Sequence, residues 1–70
     1  MIREGSTVTW KWGRGTATGK VKATFDHEVN TTIKGTNVTR KGKPGNKALL
    51  IQQENGAEVL KLESEVEKTD

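Results

Sequence analysis

Apolar and polar residues alternate in short runs along most of the chain, and glycine punctuates the runs. Val8, Trp10 and Trp12 fall on one face of an extended segment, with Thr7, Thr9 and Lys11 on the other. This predicts a first strand over residues 6–12 and a glycine-rich turn over 13–15. The alternation then resumes over 16–25, with Val21, Ala23 and Phe25 inward and Lys20, Lys22 and Thr24 outward. Gly19 marks a bulge or bend near the start of that strand. Asp26-His27-Glu28 is a polar turn, and Val29, Thr31 and Ile33 give a third strand that ends at Lys34-Gly35. Residues 37–40 continue it after a kink. Lys41-Gly42-Lys43-Pro44-Gly45-Asn46 is a loop, because Pro44 and two glycines do not suit a ladder. A short buried strand follows over 48–53, and Asn55-Gly56 predicts a type I′ hairpin into a fifth strand over 58–62. There Leu60 and Leu62 share one face and Val59 takes the other. Residues 63–68 form one helical turn or a frayed end, with Val66 as the residue that tucks it back.

Five short strands with glycine-rich turns and no long helix predict an all-β barrel or a tightly curled sheet. The expected core is Val8, Trp10, Val21, Phe25, Ile33, Val38, Leu49, Ile51, Leu60 and Leu62. Seventy residues suit one domain over 1–70, with a lead-in over 1–5 and an acidic tail over 63–70. With 30% hydrophobic and 4% aromatic residues the core must be thin. A domain of this size buries only about 60% of the surface its unfolded chain exposes. Self-association or a well-paired sheet is then needed, because cysteine is absent and His27 alone cannot build a zinc site. No run approaches the roughly 18 apolar residues of a membrane helix. The start of the chain has no signal-peptide character, so the expected location is cytoplasmic.

Charge is unevenly distributed. Through Leu50, ten basic residues face three acidic ones; from Ile51 onward, two face six, for a formal net charge of +3. The basic part suits phosphate or an acidic surface. It also suits a solubility shell against which the acidic end folds back.

Candidate chemistry is sparse. His27 lies between Asp26 and Glu28, but adjacent side chains point in different directions and do not converge on one ion or proton. Ser6 and Ser64 have no base placed by a motif. The glycine-rich turns lack the strand–GxxxxGK[ST]–helix context of a phosphate loop. No catalytic residue, cofactor or metal ligand is expected. Trp10 reads as core, whereas Trp12, beside Gly13 at the strand end, is as suited to anchoring a partner as to packing.

Several segments together resemble one family. They are Val8-Thr9-Trp10-Lys11-Trp12-Gly13, Gly19-Lys20-Val21, Val38-Thr39-Arg40-Lys41-Gly42-Lys43, Asn55-Gly56 and Val59-Leu60-Lys61-Leu62. In order and spacing they are similar to the small hypervirulence-associated Tudor domains, from about Gly5 to Val66. The resemblance implies an SH3-like, Tudor-type barrel of five strands; it names no ligand and supplies no catalytic residue. One departure matters. A methyl-lysine cage needs several aromatic rings around one cation, and this chain has only Trp10, Trp12 and Phe25.

The combined expectation is a small non-catalytic binding module, working through Trp12, Arg14, Lys20, Lys22, Arg40, Lys41, Lys43 and Lys47. Two partners fit. A protein or a second copy would pair through strand edges and Trp12. A nucleic acid would be held by its phosphates, with Trp12 stacking on a base.

Overall fold

The computed structural model describes residues 2–69. The fold is all-β, with seven strands among the described residues: β1 Thr7–Trp12, β2 Gly15–Phe25, β3 Glu28–Ile33, β4 Thr36–Lys41, β5 Ala48–Gln53, β6 Glu58–Leu62 and β7 Glu67–Lys68. A 3-10 turn, Glu63–Glu65, links β6 to β7. No helix among the described residues is long and apolar enough to cross a membrane. The main sheet has the order β6-β5-β2-β1-β7, and β3-β4 forms a separate two-stranded sheet. Among the described residues no ladder joins β6 to β7, so the sheet is not closed by hydrogen bonds.

The expected count of five strands is therefore corrected in composition as well as number. The main sheet has five strands, but β3 is not among them and β7 is. Residues 37–40 do not continue β3; they belong to β4, which runs back antiparallel beside it. Lys34 (φ 50) and Gly35 (φ 77) are both left-handed and form the two-residue loop between Ile33 and Thr36. Positive φ at both central positions is the signature of a type I′ turn. The Asn55-Gly56 hairpin forms, but not as type I′, because only Gly56 (φ 87) is left-handed. The Gly56 amide donates to the Gln53 carbonyl (2.9 Å) and the Gln53 amide to that of Ala57 (2.8 Å). Asn55 Oδ1 instead accepts the Ala57 amide at 2.9 Å. This is the turn-plus-glycine-bulge form of a three-residue loop.

β2 carries the main irregularity, and it lies at Lys22, not at Gly19. Val21 faces Ile51, yet Ala23 faces Leu50, so Lys22 is the extra residue of a bulge. Because side chains alternate, the extra residue exchanges the faces of β2. Val21 stays with Ile51, while Phe25 falls opposite Ala48 and Thr24 opposite Leu49. Val8, Trp10, Val21, Leu49 and Ile51 make the main cluster, with Ile2, Ala17, Val59 and Val66 packed against it. Phe25 is half-buried on the other face of the sheet, as are Leu50 and Leu62, beside the buried Ala48 and Leu60. Ile33 and Val38 are half-buried on the β3-β4 hairpin. The apolar set expected as one core is thus divided by the bulge and the hairpin.

Gly19 and Gly42 are required by close approach. A Cβ on Gly19 would lie 2.6 Å from the Ile51 side chain and 2.8 Å from the Gln52 carbonyl oxygen. One on Gly42 would lie 2.7 Å from the Ala48 nitrogen and against the Phe25 carbonyl oxygen. Gly42 is where the end of β4 crosses the end of β2, and its amide donates to the His27 carbonyl at 3.2 Å.

The carboxy-terminal segment fastens the fold. The Glu63 carboxylate accepts the Lys47 amide (2.7 Å) and the Glu63 amide donates to the Lys47 carbonyl (2.9 Å). Asn46 Oδ1 accepts the Ser64 amide at 3.0 Å. Val66 packs on the main cluster, and β7 pairs with β1 at Val8 and Thr9.

Candidate functional site

Trp12 is the exposed large apolar side chain of the described residues, with 73% of its surface accessible. Its place follows from local geometry. Val8, Trp10 and Trp12 share one face of β1, but only the first two reach the core. Trp12 lies opposite Gly15 in the last pair of the β1-β2 ladder, so no cross-strand side chain covers its ring. Gly13 (φ 58) and Arg14 make the two-residue loop beyond it. A left-handed glycine at the first central position is the type II′ arrangement, which matches the twist of a tight hairpin. The tip therefore presents an indole and, at the neighbouring turn position, the exposed Arg14.

The next pair inward, Lys11 opposite Thr16, lines a shallow groove. Its far wall is built by Lys61, Glu65 and Val66. Arg40 joins this neighbourhood through Glu65: its Nε lies 3.4 Å from Glu65 Oε1, and its Nη1 donates to the Thr39 carbonyl at 3.0 Å. Glu65 Oε1 also accepts the Leu62 amide at 2.8 Å, which fixes the carboxylate. Lys61 is a member of this neighbourhood that its acidic sequence context hides. The signal was the alternation of β6, which sends Val59 and Lys61 to the face opposite Leu60 and Leu62.

The other expected site residues are dispersed. Lys20 stands opposite Thr7 at the far end of the β1-β2 ladder, beside a polar groove that includes Thr18, Gln52 and Asn55. Lys22 sits on the bulge with its Nζ 3.3 Å from Glu58 Oε2. Lys41 ends β4 and Lys43 opens the Pro44-Gly45 turn, both exposed. Lys47 is half-buried, and its backbone is held by Glu63. Two of the basic residues are thus paired by glutamates of the acid-rich end. Both pairs are more than one-third exposed on at least one partner, and such pairs contribute at most about 1 kcal/mol.

The aromatic side chains do not converge. Trp10 is buried, and Phe25 makes an edge contact with His27 at 5.9 Å between centroids. Trp12 stands at the hairpin tip. Among the described residues there is no aromatic cage and no cluster of three His, Cys, Asp or Glu side chains. Ser6 is buried, and its Oγ accepts the Arg3 amide at 3.1 Å, a backbone-fastening role.

Comparison with known proteins agrees with the resemblance carried by the motifs. Searches of curated proteins and of solved structures found no match. The model of the hypervirulence associated proteins TUDOR domain matches residues 5–66, a span that runs from the residues before β1 to the one that seats the last turn on the core. The chain belongs to the family of hypervirulence-associated Tudor domains.

Proposed function

We propose that this domain is a non-catalytic protein-interaction module, acting as one unit over residues 1–70, with the Trp12 tip as its anchor. The observation that carries the reading is the 73% exposure of Trp12 at the end of a tight type II′ hairpin. An indole held in water by its backbone supplies apolar area to a partner at little entropic cost, and tryptophan and arginine are the residues most enriched in binding hot spots. Arg14 beside it and Arg40 across the Lys11–Glu65 groove supply the charged rim. Membership of a Tudor family fits a binding module. An SH3-like barrel is the fold reading we favour. The two edges of the main sheet are joined through the short 3-10 turn, and the bulged β2 contributes to both apolar faces, which supports a sheet curled toward closure. The expected partner is a protein or a second copy of the chain, and the expected location is the cytoplasm. A concentration-dependent mass or a captured partner, lost in Trp12→Ala, is the expected result. A monomer at all concentrations with no Trp12-dependent partner overturns it.

A second reading rests on a different observation: Arg14, Lys20, Lys41 and Lys43 are exposed and form no ion pair with a described residue. They are free to neutralise phosphates, with Trp12 stacking on a base. Anisotropy titration of labelled single- and double-stranded nucleic acid tests it. Binding must fall steeply with salt, and charge reversal at Lys41 and Lys43 must weaken it for every sequence. Affinity that holds steady as salt rises sinks this reading.

A further inference from the structure

We propose that the free edge of β3 pairs antiparallel with the same edge of a second copy, joining two β3-β4 hairpins into one four-stranded sheet. The proposal goes beyond the Trp12 reading and does not depend on it. β3 pairs with β4 alone among the described residues, in an unbroken register of six pairs from Glu28↔Lys41 to Ile33↔Thr36. The two-residue loop makes Ile33↔Thr36 a hydrogen-bonded pair, and such pairs alternate along an antiparallel ladder. The amides and carbonyls of Val29, Thr31 and Ile33 therefore turn toward β4. Those of Glu28, Asn30 and Thr32 turn outward, and no described residue supplies them a backbone partner.

Strand edges are ordinarily guarded by charged side chains, lysine above all, or by proline, a bulge or extreme shortness. β3, Glu-Val-Asn-Thr-Thr-Ile, has a single charge, Glu28 at its first position, and none of the other devices. The other edges are protected: β6 lies against β4, and β7 is two residues long. Side-chain hydrogen bonds Asn30 Nδ2 to Thr39 Oγ1 (2.7 Å) and Thr32 Oγ1 to Asn37 Oδ1 (3.0 Å) hold the hairpin's exposed face in place. The edge thus has no bulge and no backbone partner among the described residues.

The occupant follows from the self-complementarity of the strand. A two-fold axis through Thr31 sets Thr31 opposite Thr31, Asn30 opposite Thr32, and Val29 opposite Ile33. It also brings Glu28 of each copy to the turn that carries Lys34 of the other. The pairs are matched in kind: Asn30 with Thr32 on the exposed face, Val29 with Ile33 on either side of the Thr31 pair on the half-buried face, and opposite charges at both ends. The register centred on Asn30 sets Val29 against Thr31 and Glu28 against Thr32; the one centred on Thr32 sets Ile33 against Thr31 and moves Glu28 away from Lys34. A six-residue edge is small beside the roughly 20–30 residues per side of stable interfaces, so the dimer is weak and exchanges rapidly. It carries two Trp12 tips.

The test is sedimentation equilibrium from about 10 µM to about 1 mM, the range a small interface calls for, with amide chemical shifts read over the same range. The expected result is a rising mass, with concentration-dependent shifts at the Asn30 and Thr32 amides and little change at Thr31. Glu28→Lys and Lys34→Glu each place like charges opposite one another and should weaken association about tenfold; the double exchange should restore it. Circular dichroism checks folding, and if either variant unfolds, the amide pattern of the unmodified protein decides. A constant monomer mass overturns the proposal, as does association that leaves the Asn30 and Thr32 amides unmoved. Association lost in Trp12→Ala but kept in Lys34→Glu assigns self-pairing to the tip and likewise overturns the edge. A monomer that binds another protein through Trp12 overturns the edge alone and leaves the reading of the tip standing.

Discussion

Two tryptophans on one face of one strand have opposite fates, and their cross-strand neighbours explain it. Trp10 sits inside the main cluster, while Trp12 ends the ladder opposite a glycine. Trp10→Ala is expected to cost about 3–5 kcal/mol, the usual range for emptying an aromatic core site. For a chain of this length, at roughly 0.05–0.15 kcal/mol per residue, that is from about a third of the whole stability to all of it. Trp12→Ala should change stability by no more than about 0.5 kcal/mol, because most of the side chain is already in solvent. Urea unfolding of the two variants checks both. Gly42→Ala should destabilise by about 1–3 kcal/mol, the range for overpacking, because a methyl group there meets backbone atoms that cannot move aside. The alternation of β1 made the core role of Trp10 legible, and the adjacent Gly13 hinted at the exposure of Trp12. The role of Gly42 was not legible, because close approach between β2 and β4 is a tertiary fact that a loop-like Lys-Gly-Lys-Pro-Gly-Asn string does not encode.

Turns and bulges decide the architecture at the scale of elements. Asn55-Gly56 looked like the type I′ turn, yet Lys34-Gly35 is the one with two left-handed residues. The two-residue loop between Ile33 and Thr36 demands that conformation, and lysine adopts it at a cost. Lys34→Asn is therefore expected to stabilise the domain by about 0.5–1 kcal/mol, read from the urea midpoint, since asparagine tolerates the left-handed region better. No change or a loss of stability would show that Lys34 makes a compensating interaction. The clasp of the 3-10 turn on the Asn46–Lys47 backbone is the second element-scale feature. Glu63→Ala leaves the partly buried Lys47 amide without its acceptor and should cost about 1–3 kcal/mol by thermal or urea unfolding. β1, β3 and the first part of β2 were legible through period-two alternation and β5 through its apolar run, whereas β4 was read as a continuation of β3 because nothing in Lys34-Gly35 distinguishes a kink from a reversal. The Lys22 bulge was not, because an extra residue leaves the local pattern of Val21, Ala23 and Phe25 intact while exchanging the faces that they present.

For the whole molecule, the opposed charges of the two parts of the sequence meet, among the described residues, at Lys22–Glu58 and Arg40–Glu65. The other exposed cations of the expected set are spread between Arg14 at the hairpin tip, Lys20 in the middle of β2, and Lys41 and Lys43 beside the Pro44 turn, so that set is not a single stripe. Stability should accordingly change by less than about 1 kcal/mol per pair when salt screens these exposed contacts. The sheet order, with β7 returning to β1, accounts for how a chain this short and cysteine-free holds together: its last turn is seated on its first strand. That return was only partly legible, through Val66, because β7 is too short to show a period.

The central claim is that the Trp12 tip is the binding surface. The most direct measurement is quantitative capture on immobilised wild-type domain and on Trp12→Ala, matched for folding and for salt, with bound proteins identified and counted. The account expects partners that are held by the wild type, lost from Trp12→Ala and largely recovered with Trp12→Phe. Equal capture by the wild type and Trp12→Ala, or none by either, would contradict it.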